Sequence, residues 1–304
     1  WYIEKITDEL ARKAWALFQE IERRGGFTAA LREGFPQEMV AKAAAEKREA
    51  VAKRRSGLVG TNVFPNLRER PLPSPAACDV GARAAEIRGR RGTMPARRRM
   101  ADWNALFAAA LSLAREGATA GQLSRWARTR EATAPAIVPV KPLRLAEEFE
   151  RLRAATASGG DGAGGPAPAN SGTRPKVFLA KIGPAAQHKA RADFSAGFFS
   201  AGGFETIGKM SFETAEAAAE AAVASGAAIA VLCSTDETYP VLVPRFARAL
   251  KAASPETIVV LAGLPADPAV VTEYRAAGVD EFIHVRANVV EVLGGLLKRI
   301  GAMK

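Results

Sequence analysis

The sequence predicts an α/β protein whose C-terminal part is an open, doubly wound parallel sheet. Three observations predict it. Short apolar runs alternate with helix-length runs five times between residues 177 and 300. Three of those helical runs stop at glycine, at Gly202-Gly203, Gly226 and Gly278. The composition, with 304 residues, 48% hydrophobic and 25% charged, belongs to the globular class and is long enough for about two domains.

Residues 4–24 read as an amphipathic helix, because Ile6, Leu10, Ala14, Leu17, Phe18 and Ile21 recur at three- and four-residue steps. Thr7 is its expected N-cap and Gly25-Gly26 its stop. A second helix is predicted from Gln37 to Arg55, with a mostly alanine face that has helix propensity but little area to bury. Residues 56–102 carry Pro65, Pro71, Pro73, Pro75 and Pro95 and read as an irregular, extended arm. Helices follow at 101–116, 119–128 and 144–155. Residues 156–174, rich in Gly, Ala, Ser and Pro, form a flexible linker and the clearest domain boundary.

Beyond it the alternation begins. Val177–Ala180, Phe204–Ile207, Ala228–Cys233, Ile258–Leu261 and Glu281–His284 are the expected strands. Residues 188–202, 213–225, 240–253, 268–277 and 288–300 are the helices between and after them. Five such units in about 130 residues fit a flavodoxin-like, Rossmann-like sheet of order 2-1-3-4-5, whose ligands sit beyond the carboxyl ends of the strands.

The net charge of +11 is lopsided. Residues 171–304 hold 14 basic and 13 acidic residues, whereas the first 170 hold 29 and 19. Arg83, Arg88, Arg90, Arg91, Arg97, Arg98 and Arg99 stand almost unopposed, which marks a partner-seeking arm. Nucleic acid is one reading of it, but residues 65–102 contain no Phe, Tyr or Trp for base stacking. Trp103, Phe107 and Trp126 are candidate interface anchors or ordinary helix core. No apolar run of about 18 residues or secretory leader is present, so a membrane span and secretion are not expected. Cys78 and Cys233 alone fit a reducing, cytoplasmic setting and exclude a CxxC zinc site. Trp1 in place of an initiator methionine suggests a piece of something longer.

The loops at the strand ends hold the candidate chemistry. His188 follows the first strand and could ligate a metal or act as a base, but no carboxylate is placed to orient it. Asp193 faces another way, and a solvated helix-start histidine is the plain reading. In Cys233-Ser234-Thr235-Asp236, one of the last three would cap the next helix, and Cys233 reads as a small buried hydrophobe. Neither a Gly-x-Gly-x-x-Gly nor a Gly-x-x-x-x-Gly-Lys-Ser/Thr motif is present, which argues against a nucleotide cradle. Arg286, in the last loop, could pair with an anion or lie in solvent.

Three stretches carry a family resemblance. They are Trp1–Ala11 with Ala14–Phe18, Arg54–Phe64, and residues 176–301 including Gly197-Phe198 and Leu242-Val243-Pro244. The sequence resembles the C-terminal part of the methylmalonyl-CoA mutase family. The resemblance implies that residues 1–30 are the last helix of a truncated (β/α)8 barrel and residues 31–155 a helical and extended arm. Residues 175–304 would be a cobalamin-binding-type domain. The family's Asp-x-His-x-x-Gly motif, in which His is the lower cobalt ligand, aligns without a gap on Ala185, Gln187 and Ala190, leaving His188 one residue out of register. Its Ser-x-Leu becomes Cys233-Ser234-Thr235, its Gly-Gly becomes Ala262-Gly263, and its glycine-rich last turn becomes His284-Val285-Arg286-Ala287.

Four losses around one pocket on an intact scaffold look like the small (β) subunit of the heterodimeric enzyme. Pro142–Arg153, just before the linker, is similar to small-subunit text as well. The resemblance implies a structural partner of a large (α) subunit, which would bind the adenosylcobalamin, with none bound by this chain. It leaves Gly183, His188, Ser234 and Gly263 as degenerate cofactor-binding candidates, His188 as the candidate cobalt ligand, and no catalytic residue. The alternatives are a functional cobalamin domain with His188 as ligand, and a nucleic-acid-binding arm.

Overall fold

The sheet is apolar on both faces, and its side chains sort by twos. In the computed structural model, which describes residues 1–68, 80–89, 102–127, 136–157 and 174–303, β1 (Lys176–Ile182), β4 (Ile229–Cys233) and β5 (Ile258–Ala262) form the centre. Val177, Leu179, Ile229, Val231, Cys233, Ile258 and Val260 point to one core. Phe178, Ala180, Ala230, Leu232, Val259 and Leu261 point to the other. Such runs suit a parallel sheet covered on both faces.

β2 (Glu205–Ile207) and β6 (Glu281–Ile283) are the edges, and all pairings are parallel in the order β2-β1-β4-β5-β6. This is the predicted 2-1-3-4-5 order. A further strand, β3 (Ser211–Phe212), pairs with Lys181 and Ile182 at the end of β1, so the sheet has six strands rather than five. Two residues are too few to show a period.

Helices α8 (Ala185–Ala201) and α12 (Val289–Arg299) supply the first core. Helices α9 (Ala215–Ala224), α10 (Tyr239–Ala253) and α11 (Pro268–Ala276) supply the second. Ala215, Ala218, Ala219 and Ala222 of α9 are buried, and their small size lets this helix lie close to the sheet.

The region before the sheet joins the first core. Chain contacts divide the protein into one unit of residues 1–71 and 138–304 and a second of residues 72–137. In the first unit, Phe149 and Leu152 of α7 (Glu147–Ala157) and Val51 of α3 (Phe35–Ala52) pack into the α8/α12 core. Asn62 is fully buried. It donates to the carbonyls of Val51 and Ser56 at 2.9 Å each and accepts from Leu58 N–H at 2.7 Å, closing the turn after α3. Arg153 donates to the carbonyls of Gly60 (3.0 Å), Thr61 and Ala201 (3.1 Å), stapling that turn to the end of α8.

Several expectations change. The first helix, α1, runs Tyr2–Arg23 and its N-cap is Trp1 rather than Thr7. Thr7 lies inside the helix and donates back to the Ile3 carbonyl at 2.9 Å, the usual alternative for an interior threonine. Gly25 and Gly26 do stop it, with φ of 89° and 88°. A short helix, α2 (Phe27–Glu33), precedes α3 and was not expected.

The second unit holds α4 (Val80–Gly89), α5 (Trp103–Arg115) and α6 (Ala120–Ala127). Helix α4 corrects the reading of 56–102 as extended throughout, because the prolines at 75 and 95 flank an alanine-rich stretch instead of interrupting it. Arg83 pairs there with Glu86 at 2.6 Å. Arg90, Arg91, Arg97, Arg98 and Arg99 lie outside the described residues, as does the linker from 158 to 173. Trp103 and Phe107 are exposed along α5, whereas Trp126 is buried and is no surface anchor. Among the described residues, no helix is long and apolar enough to cross a membrane.

Candidate functional site

The carboxyl ends of β1, β4 and β5 bring Gly183, Ser234 and Gly263 to one edge of the sheet, and the first turns of α8 place His188 beside them. Both glycines need their backbone freedom, with φ of +88° at Gly183 and +149° at Gly263. Both are covered by side chains from α8. The Gln187 amide oxygen occupies the place of a Cβ on Gly183, and the Arg191 guanidinium that of a Cβ on Gly263. Arg191 is held from three sides. It donates to the Ala262 carbonyl, pairs with Asp236 at 2.8 Å and lies 5.6 Å from the Tyr239 ring centroid.

Ser234 is fully buried, and its hydrogen-bonding groups are taken. Its hydroxyl donates to the Ile182 carbonyl at 3.2 Å and accepts from Thr238 at 2.8 Å. Its backbone N–H donates to the Tyr239 hydroxyl at 3.2 Å, and that hydroxyl donates to the Ala262 carbonyl at 2.7 Å. These bonds stitch β1, β4 and β5 together at their ends. Neither Ser234, Thr235 nor Asp236 caps α10, whose N-cap is Thr238. The Ser234 hydroxyl is taken by the end of β1 and the Asp236 carboxylate by Arg191, while Thr235 reaches Thr238 itself.

His188 is not solvated, as was expected, but only 7% exposed. It sits on the face of α8 that also buries Ala192, Ser195, Phe198 and Phe199. Neither ring nitrogen has a hydrogen-bond partner. Burial, with Lys181 adding repulsion, holds its pKa below the usual histidine range, so the ring is neutral at pH 7. Asp193 is turned to solvent and paired with Lys189 at 2.8 Å.

Cys233 has no exposure and lies 3.7 Å from the Ser195 hydroxyl. Burial pushes its thiol up to about 12, which removes it as a nucleophile near neutral pH. Among the described residues, no three His, Cys, Asp or Glu side chains come together as metal ligands. The sequence reading missed Arg191, because a lone arginine inside a helix belongs to no motif and Gly263 is distant in sequence.

Beside this plug the edge opens into a cleft of about 390 Å³, lined among others by Ala190, Arg191, Gly263, His284 and Arg286. The His284 ring accepts from the Arg286 N–H at 3.3 Å. Burial first, and Arg286 second, lower its pKa.

Comparison with known proteins agrees with the sequence resemblance. Residues 1–133 match the family model described as methylmalonyl-CoA mutase. The methylmalonyl-CoA mutase small subunit of Streptomyces virginiae is 34% identical over 304 residues, covering 99% of this chain and 37% of that protein. The small subunit of Porphyromonas gingivalis is 29% identical over 301 residues, covering 99% and 38%. The methylmalonyl-CoA mutase of Rhizobium meliloti is 29% identical over 284 residues, covering 86% and 38%. The chain thus spans less than two fifths of the length of these relatives, and it is similar to small subunits along nearly all of its own.

Proposed function

We propose that this chain, a relative of the methylmalonyl-CoA mutases, is the C-terminal part of a non-catalytic small subunit of the adenosylcobalamin-dependent enzyme. In this reading a large subunit carries cobalamin and substrate, and the two form a cytoplasmic heterodimer. The complex interconverts methylmalonyl-CoA and succinyl-CoA, and the cofactor supplies the radical chemistry. This chain contributes association and shielding.

The observation that carries the reading is the plugged edge. Arg191 and Gln187 fill the spaces over the two glycines where a cofactor tail would enter, and Ser234 is already bonded on every side. His188 has no carboxylate to orient it toward a metal. These residues do not fit a cobalamin. The bare apolar residues of α1 (Ile3, Ile6, Leu10, Leu17) and of α5 (Trp103, Phe107, Leu111) support the association role.

Spectrophotometric titration of the chain with adenosylcobalamin tests this. No change in the cofactor spectrum is expected. Tight binding with the shift of histidine ligation would overturn it.

One observation favours a second reading, cobalt ligation by His188: its two ring nitrogens are buried and unpartnered. That reading requires a spectral shift in the same titration that His188→Ala abolishes.

A further inference from the structure

A second polar feature lies in the turn that follows α3. Arg54 has a left-handed backbone, with φ of +55°, which is disfavoured for a residue bearing a Cβ. Its neighbours are paired: Lys53 and Arg55 both reach Glu49, at 2.7 and 3.2 Å. The Arg54 guanidinium has no hydrogen bond or ion pair among the described residues, although it is half-buried. Burial pulls its pKa down, the mark of a charge without compensation.

Its position is nevertheless defined. It lies over bare helix backbone at Gly197, where a Cβ would meet Nη2 at 3.4 Å. From there it lines a cleft of about 240 Å³ whose walls include Val63, Phe194, Phe198 and Val289, with His284 on the same cleft. The cleft shares Phe194, His284 and Val285 with the larger opening that carries Arg286. Arg286, too, has no acidic partner among the described residues.

A strained backbone that presents a half-buried, unpaired guanidinium to an apolar cleft is costly unless an anion completes it. A guanidinium fork fits carboxylate or phosphate. A second unpaired arginine and an imidazole on the connected opening favour a dianion. We propose that this cleft binds a phosphate monoester, with Arg54 anchoring the phosphoryl oxygens and Phe194 and Val289 packing against the apolar body of the ligand. The site is independent of the subunit role proposed above.

Calorimetric titration of the whole chain in phosphate-free, low-salt buffer tests it, with phenyl phosphate, inorganic phosphate and benzoate as probes. Phenyl phosphate should bind at one site, and Arg54→Gln should weaken it by about tenfold or more, the scale of losing one charge-assisted contact. Inorganic phosphate, without an apolar body, and benzoate, with a single charge, should each bind more weakly. No phenyl phosphate binding at about 10 mM, or equal affinity in wild type and Arg54→Gln, would overturn the proposal.

Arg54→Asn separates binding from folding, since asparagine accepts left-handed backbone. Its melting temperature should be no lower than that of wild type. A fall of several degrees would show that the guanidinium serves the fold instead and would equally overturn the site.

Discussion

Helix α1 has 22 residues and buries none of them, whereas α8 has 17 and buries six. Their sequences suggest the reverse. Apolar residues line one side of α1 at regular steps, and even Trp15 and Phe18 stack on each other, at 5.2 Å, while exposed. The inward side of α8 mixes His188 and Ser195 with Ala192, Phe198 and Phe199. Periodicity reports a face that needs cover, while burial reports where cover exists. For α8 the cover is the sheet. For α1 the cover is missing among the described residues.

The comparison can be tested by substitution. The largest effect is expected at Phe199, which is fully buried with its ring edge-on to Phe204 at 5.5 Å. Phe199→Ala should cost about 3–5 kcal/mol in urea unfolding of the chain. Tyr239→Phe comes next. It removes the hydroxyl between Ser234 and Ala262 and leaves the Ser234 N–H without its acceptor, so about 1–3 kcal/mol is expected by the same measurement.

Asp280 sharpens the picture at the opposite edge of the sheet. Burial alone would raise its carboxyl pKa, but hydrogen bonds from Lys251, the Val259 N–H and Arg299 together bring it below the ordinary value. Because the folded pKa is depressed, its contribution is complete above the unfolded carboxylate pKa and is lost as pH falls through the folded one. Wild type should therefore exceed Asp280→Asn by about 1–2 kcal/mol at neutral pH, and the two should converge on acidification. Urea midpoints measured from about pH 7 down to about pH 3 check this.

The smallest effect belongs to α1. Trp15→Ala should change stability by no more than about 0.5 kcal/mol. A cost above about 2 kcal/mol would mean that α1 is packed and that its contrast with α8 is false.

The sheet was legible because β1, β4 and β5 are continuous apolar runs and glycines punctuate the helices between them. The site was legible only as positions. Gly183, Ser234 and Gly263 were found from their places after strands, but what happens there depends on side chains arriving from elsewhere. Arg191 reaches across from α8 to the end of β5, and no local spacing encodes that reach. A helix start is usually solvated, whereas the pitch of α8 turns its fourth residue, His188, inward. Thr7 looks like a cap by residue type alone, although the helical pattern already begins before it. In the sequence Arg54 stands out only as part of a family-like stretch, since neither its positive φ nor its lack of a partner has a signature in residue order.

Cys233 supplies a clock. Its thiol is sealed at the end of β4, and with a pKa near 12 it has almost no thiolate at neutral pH. Reagent can reach it only when α8 lifts from the sheet or the central strands part. In a Cys78→Ser background it becomes the single cysteine of the chain. Its alkylation rate would then count openings of the core beneath α8 and ignore fraying at the chain's exposed helices.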